Sequence, residues 1–563
     1  MQSLDWLVIG VFCLALIGII VWVVKQKQND SADYFLSGRD ATWIAIGASI
    51  FASNIGSEHL IGLAGAGASS GMAMAHWEIQ GWMILILGWV FVPFYSRSMV
   101  YTMPEFLERR YNPQSRTILS VISLVSYVLT KVAVTVYAGG LVFQQVFGID
   151  TLWGIDFFWI AAIGLVLITA LYTVFGGMKS VLYTSVLQTP ILLLGSLIIL
   201  VLGMKELGGW DEMIRICGGI SVNEYNDTMN NLIRSNSDPN FPWLGALVGS
   251  AIIGFWYWCT DQYIVQRALS GKNQKEARRG TIFGAYLKLL PVFLFLIPGM
   301  IAFALHQKGL ETGGFLPMLA DGVTPNADAA FPTLVAKLLP AGVKGLVVCG
   351  ILAALMSSLA SLFNSSAMLF TIDFYKRFKP RTPEKKLVGI GQTATVVIVI
   401  LGILWIPIMR SVGNVLYTYL QDVQSVLAPG IAAAFLLGVC WKRTTAQGGM
   451  WGLLAGMIIG LTRLGSKVYY SNVADTGSSL FKYLFYDLNW LFFCGWMFLF
   501  CMIVVVWVSY ATPAPSAAKI QGLVFGTATP EQKAETRAGW NKWDVIHTAI
   551  ILGITVAFYI YFW

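Results

Sequence analysis

Ser53, Asn54, Ser57, Glu58 and His59 crowd around Gly56 inside an otherwise apolar stretch, residues 50–62. An acid at the centre of a bilayer costs on the order of 2.5–3.5 kcal/mol on the insertion scale, so such residues persist where they serve a ligand or an ion. A helix that carries them is expected to break at the glycine and free carbonyls to line a cavity or hold an ion. An ordinary loop at a span boundary is the other reading, but apolar sequence continues on both sides. Further clusters repeat the pattern. His76-Trp77-Glu78-Ile79-Gln80-Gly81 sets an acid beside an indole, and Phe255-Trp256-Tyr257-Trp258-Cys259-Thr260-Asp261-Gln262 is an aromatic run ending in an acid. Lys288 interrupts residues 284–300, and Tyr417, Tyr419, Gln421, Asp422 and Gln424 precede Ala428-Pro429-Gly430.

These residue types suit a sugar-like ligand. A polyol needs neutral and charged partners around its hydroxyls and a flat apolar face for its ring C–H side. Glu78, His59, Lys288 and Gln421 supply the first kind, and Trp77, Tyr257 and Trp258 the second. A buried hydroxyl left unpaired costs about 1–3 kcal/mol, so such a site is selective. The alternative is that Glu78 and Lys288 form a structural ion pair while the aromatics pack helices. In Ala353-Ala354-Leu355-Met356-Ser357-Ser358-Leu359-Ala360-Ser361, small residues and hydroxyls are common helix-packing material. Beside a broken helix, the same hydroxyls suit sodium. Carbonyls freed at Ala52 and Ile55 together with the Ser357 and Ser358 hydroxyls provide several neutral oxygens for it.

The elements that position these groups are membrane helices. Of 563 residues, 56% are hydrophobic and 12% charged, against about 25% charged in soluble domains. The net charge of +8 is spread among loops, so it is no nucleic-acid signature. The seven cysteines form no CxxC pair, which indicates neither a disulfide framework nor a metal site. No cleavable signal peptide is apparent. Fourteen spans are expected, near 4–24, 42–62 (broken), 73–95, 117–147, 154–175, 180–203, 242–265, 281–305, 341–372, 387–409, 413–439, 445–462, 487–510 and 544–563. With the amino terminus outside, the inner loops hold 25 Lys/Arg and the outer loops 10 of the 37, counting Lys344 at the edge of its span with the outer loop, while Lys131 and Lys288 lie deep inside spans. That asymmetry favours this orientation, in a cell membrane, plasma or inner. Residues 204–241 read as a solvated outer cap and 511–543 as an inner linker. No nucleophile–base pair appears in or near the spans, which argues against an enzyme.

Several motifs resemble one family. Tyr172-Thr173-Val174-Phe175-Gly176-Gly177-Met178-Lys179-Ser180 is similar to the signature of the sodium/solute symporter family. The run 255–262 continuing to Gln266-Arg267, with Asp33-Tyr34-Phe35-Leu36 and Tyr101-Thr102-Met103-Pro104-Glu105-Phe106, resembles the sodium/glucose (galactose) cotransporter branch. The resemblance implies an all-α polytopic membrane protein of about 14 transmembrane helices with a 5+5 inverted-repeat (LeuT-like) core. Spans 2 and 7 are then discontinuous. Residues 1–41 form an accessory helix and inner loop, 42–203 the first repeat, 204–241 the outer loop, 242–438 the second repeat and 439–563 accessory helices. It also implies residue roles: Asn54, His59, Glu78, Lys288 and Gln421 fall where sugar-contacting residues sit. Tyr257 matches a ring-stacking inner gate, and Leu63, Trp77 and Tyr417 an outer gate. Ala52, Ile55, Ala354, Ser357 and Ser358 match a sodium site. Two departures stand out. Ser185 replaces an aspartate tied in relatives to a second sodium site or the sodium exit route, and Gly254 replaces a sugar-binding asparagine of the bacterial galactose carrier.

The expected function is symport of one sodium with one hexose of the glucose/galactose type by alternating access. Its rivals are symport of another polyol or acid, such as inositol or sialic acid, and a transporter-like sensor or channel.

Overall fold

The structure, a computed structural model, describes residues 1–26, 30–56, 58–319, 322–411, 416–472, 477 and 479–563. The side chains of residues 129, 130, 133, 145, 312, 405, 408–411, 416–420, 471 and 472 lie outside that description. Helices dominate because a backbone in hydrocarbon must satisfy its own N–H and C=O groups. Ten helices among the described residues are long and apolar enough to cross a membrane, and Trp43–Asn54 and Val134–Gln144 are shorter apolar ones. Peripheral helices turn large apolar side chains outward, as Leu14 on Ser3–Val24 and Trp507 on Trp490–Ala511 do, which suits lipid.

Helix ends follow local chemistry. Asn112, Asn273 and Asn541 each cap a helix through the side-chain oxygen, and Thr102 caps Met103–Arg110, whose second residue is Pro104. The 51-residue helix Phe157–Leu207 is interrupted at Gly177, where φ is 53° and ψ −148°. Only glycine adopts that conformation at low cost, and it separates the passes expected at 154–175 and 180–203. A two-stranded hairpin pairs Thr151 with Asp156 and Leu152 with Ile155 at the tip between two passes.

Two spans are broken. In the first, Trp43–Asn54 ends at Ile55, whose ψ of 110° is extended, and helix resumes at Glu58 with a wider turn leading into Ala64–Ser70. In the second, Trp243–Phe255 widens over Trp256–Thr260 and stops at Asp261, extended at ψ 126°, before Gln262–Leu269. Asp261 then caps the new half-helix by accepting the Tyr263 N–H. Small residues let the second half of the first broken span pack closely. A Cβ on Gly67 would lie 2.2 Å from the Leu296 carbonyl, and one on Gly299 would lie 1.9 Å from that of Ala64.

Candidate functional site

The two breaks face each other across a cavity that polar side chains line inside an apolar shell. Its wall includes Asn54, Glu58, His59, Trp77, Glu78, Gln80, Lys131, Thr135, Gly254, Tyr257, Trp258, Tyr263, Lys288, Ser358, Gln421 and Gln424. All seven residues expected to contact a solute are therefore brought together: Asn54, His59, Glu78, Tyr257, Trp258, Lys288 and Gln421. They come from separate stretches of chain, and the breaks allow their approach.

An ion pair organises one side. Lys288 Nζ stands 2.6 Å from Glu78 Oε2, with both side chains buried. His59 Nε2 is 3.4 Å from the same carboxylate oxygen and 3.4 Å from Asn54 Nδ2. The Lys288 ammonium also lies 5.3 Å from the centre of the Trp258 ring. Glu78 and Lys288 are thus paired, as the structural reading expects, and both also line the cavity. Gln421 is buried on Leu416–Cys440, and its Oε1 has no hydrogen-bond partner among the described residues. Tyr257 meets Trp258 edge to face, with centroids 4.9 Å apart.

The residues expected at the gates separate. Trp77 lines the cavity and stacks on Trp490 at 5.6 Å, with Phe241 at its edge. Leu63 is fully buried at the end of Glu58–Leu63 and does not line the cavity. The side chain of Tyr417 lies outside the described residues.

Beside the cavity, the first break meets the helix Val343–Met368. Ser53 Oγ is 2.7 Å from Ser361 Oγ, and the Tyr263 hydroxyl bridges the Ser53 carbonyl and Ser358 Oγ, the latter at 3.2 Å. Ala52, Ile55, Ala354, Ser357 and Ser358 are all buried. Among the described residues no backbone N–H donates to the Ala52 or Ile55 carbonyl, as the helix stops before their partners arrive. Unclaimed carbonyls beside buried hydroxyls make a neutral oxygen set that fits a hard cation such as sodium. Ser185 Oγ lies 3.4 Å from Ser357 Oγ and donates to the Val181 carbonyl, so no carboxylate enters from that side chain.

Several residues of the wall have no role assigned from sequence. Lys131 pairs with Asp261 at 2.7 Å, and the Tyr127 hydroxyl donates to the other oxygen of that carboxylate. This ties the second break to the neighbouring span. The signal is present in the sequence: Lys131 is one of two lysines deep inside predicted spans, and Asp261 ends the aromatic run. Gln80 stands in the 76–81 cluster without a role of its own, and Tyr263 just beyond the aromatic run, because only the fold turns them inward.

The Sodium:solute symporter family matches residues 34–456. Sodium/myo-inositol cotransporter 2 of Mus musculus is 37% identical over 548 residues, covering 94% of this chain and 80% of that protein. Sodium/glucose cotransporter 4 of Danio rerio is 33% identical over 561 residues, covering 96% and 84%. Among solved structures, a Na+-coupled sialic acid symporter in a substrate-bound outward-open state superposes with TM-score 0.73 at 21% identity, covering 92% of this chain and 99% of that one. The fold is the helical, LeuT-like inverted-repeat core.

Proposed function

Because the chain belongs to the sodium:solute symporter family, a cotransporter family with sodium as the coupling ion and not an enzyme family, we propose that it moves a neutral ring polyol, a hexose of the glucose or galactose type, inward with one sodium. Asn54, His59, Glu78, Lys288 and Gln421 meet the hydroxyls, and Tyr257 and Trp258 the ring face. Sodium sits among the Ala52 and Ile55 carbonyls, the Ala354 backbone and the Ser357 and Ser358 hydroxyls. Leu63, Trp77 and Tyr417 close the outer side and Tyr257 the inner. The repeats run from 42 to 203 and from 242 to 438, in a cell membrane with the amino terminus outside.

The observation that carries this reading is the Lys288–Glu78 pair on the cavity wall, 2.6 Å apart. Lys288 already has its counter-charge, so a solute carboxylate gains no unpaired cation there. The same pair offers charge-assisted hydrogen bonds to hydroxyls. This favours a neutral polyol over a sialic-acid-like anion. Inositol is the second reading, favoured by the 37% identity to a sodium/myo-inositol cotransporter.

Sodium at the break favours the outward-open arrangement and orders Asn54 and His59 beside it, which couples the two ligands positively. One charge crossing 100 mV is worth about 2.3 kcal/mol, and a tenfold sodium gradient adds about 1.4 kcal/mol. Together they support roughly five-hundredfold accumulation. Sodium-driven uptake into proteoliposomes, with glucose, galactose, inositol and sialic acid in competition, tests the assignment. Competition by hexoses or inositol supports a polyol site, and competition by sialic acid alone overturns it.

A further inference from the structure

Gly254 lies on the cavity wall where any side chain would strike a neighbour. A Cβ built there stands 2.4 Å from Gln80 Oε1, 2.8 Å from its Cδ and 3.0 Å from its Nε2. The Gln80 amide therefore fills the space that a larger residue at 254 would take. Its orientation is fixed from two sides. The Trp258 indole can only donate, so Gln80 Oε1 faces it at 3.2 Å, and Nε2 donates to the Ser250 carbonyl at 2.8 Å. A primary amide has two N–H groups and two lone pairs, so one donor and one acceptor position remain beyond these bonds. The side chain is only 3% exposed and borders the cavity. A hydroxyl both donates and accepts, so a rigid amide with one position of each kind is suited to reading it. Trp258 also stands under the Lys288 ammonium, which holds Glu78. One connected strip thus runs from Glu78 through Lys288 and Trp258 to Gln80.

We propose that Gln80 is a specificity-determining residue of this transporter. Its amide, seated in the space Gly254 leaves open, pairs with one ring hydroxyl of the solute and selects for the configuration of that carbon. The proposal rests on the reading that the cavity takes a ring polyol.

The test is sodium-driven uptake by the full chain in proteoliposomes, with KM measured for glucose, galactose, mannose, myo-inositol and scyllo-inositol. Gln80→Met keeps the volume and removes the hydrogen bonds. It is expected to raise KM about tenfold for the preferred solute and much less for its epimer at the carbon read by the amide, so the ratio of the two falls about tenfold. The sodium concentration for half-maximal uptake stays where it was. Gly254→Ala pushes the amide off its seat and is expected to lower the same ratio in the wild-type background. In the Gln80→Met background it adds less than twofold, because the group it displaces is gone. KM rising by one factor for every solute, with ratios unmoved, would overturn the proposal, as would effects of the two substitutions that multiply fully. If Gly254→Ala protein does not reach the membrane, the Gln80→Met ratios decide alone, with Gln80→Ala as the second variant. Wild-type protein that accumulates no member of the panel would overturn the polyol reading itself, which is distinct from accumulation with unmoved ratios.

Discussion

Removing one partner of a buried ion pair typically costs about 3–5 kcal/mol, because it leaves an uncompensated charge out of water. Glu78 and Lys288 are such a pair, both almost wholly buried. Glu78→Gln and Lys288→Met are each expected to lower the thermal midpoint of the purified protein and to abolish uptake. The double substitution recovers much of the midpoint without recovering transport, since shape and neutrality return but the hydroxyl partners do not. Uptake restored in the double variant would show the pair to be structural only. Ser185 makes a second prediction at this scale. Its hydroxyl, 3.4 Å from that of Ser357, brings no charge to the sodium region. Ser185→Asp supplies one, and the Hill slope for sodium in uptake is expected to rise from near one towards two. A slope unchanged from the wild type would remove the account of that position.

The two breaks are legible from their own residues to different degrees. Around Gly56, polar side chains stand at bilayer depth with apolar sequence on either side, so the chain itself announces the interruption. At Asp261 the acid is visible in the sequence, but its work is not, because Tyr127 and Lys131 lie more than a hundred residues away in the chain and meet it only after packing. The inward turn of Gln80 is hidden for the same reason: nothing local distinguishes a glutamine that faces a cavity from one that bridges helices. Asp261→Asn is expected to keep the helix cap, since asparagine also accepts a backbone N–H, yet to loosen Lys131 and lower the maximal uptake rate more than it raises KM. An Asp261→Asn variant with wild-type maximal rate would contradict the role of this pair in holding the break. Outside the spans, Asp328 is pressed against Gly65 on the second half of the first broken span, and burial pushes its carboxyl up to about 6 from 3.8. The folded state therefore keeps a proton that the unfolded chain has already lost. The stability this contributes is complete below about pH 4 and is lost as pH rises through about 6. The thermal midpoint should be higher at pH 5 than at pH 7, and Asp328→Asn should remove much of that difference. An undiminished difference in the variant would place its origin elsewhere.

At the scale of the molecule, composition and Lys/Arg distribution point to the membrane class and an orientation, because loop charge is a global property that needs no contact information. The fourteen expected spans compare with ten long apolar helices among the described residues, one of them bent into two passes at Gly177, plus two shorter apolar helices. Short or broken helices fall below any length criterion, so crossing number is poorly legible from apolar runs alone. The solute is least legible, since polyols share their hydroxyl chemistry and differ by single configurations. The proposed coupling joins residue, element and molecule: a cation at the first break would order the residues that meet the solute across the cavity. Solute accumulation in sealed proteoliposomes, with an inward tenfold sodium gradient and an interior about 100 mV negative, measures it directly. The account predicts accumulation of a hexose or inositol some hundredfold or more above the outside concentration, collapsing when potassium replaces sodium. Solute that merely equilibrates, or accumulates equally without sodium, would contradict it.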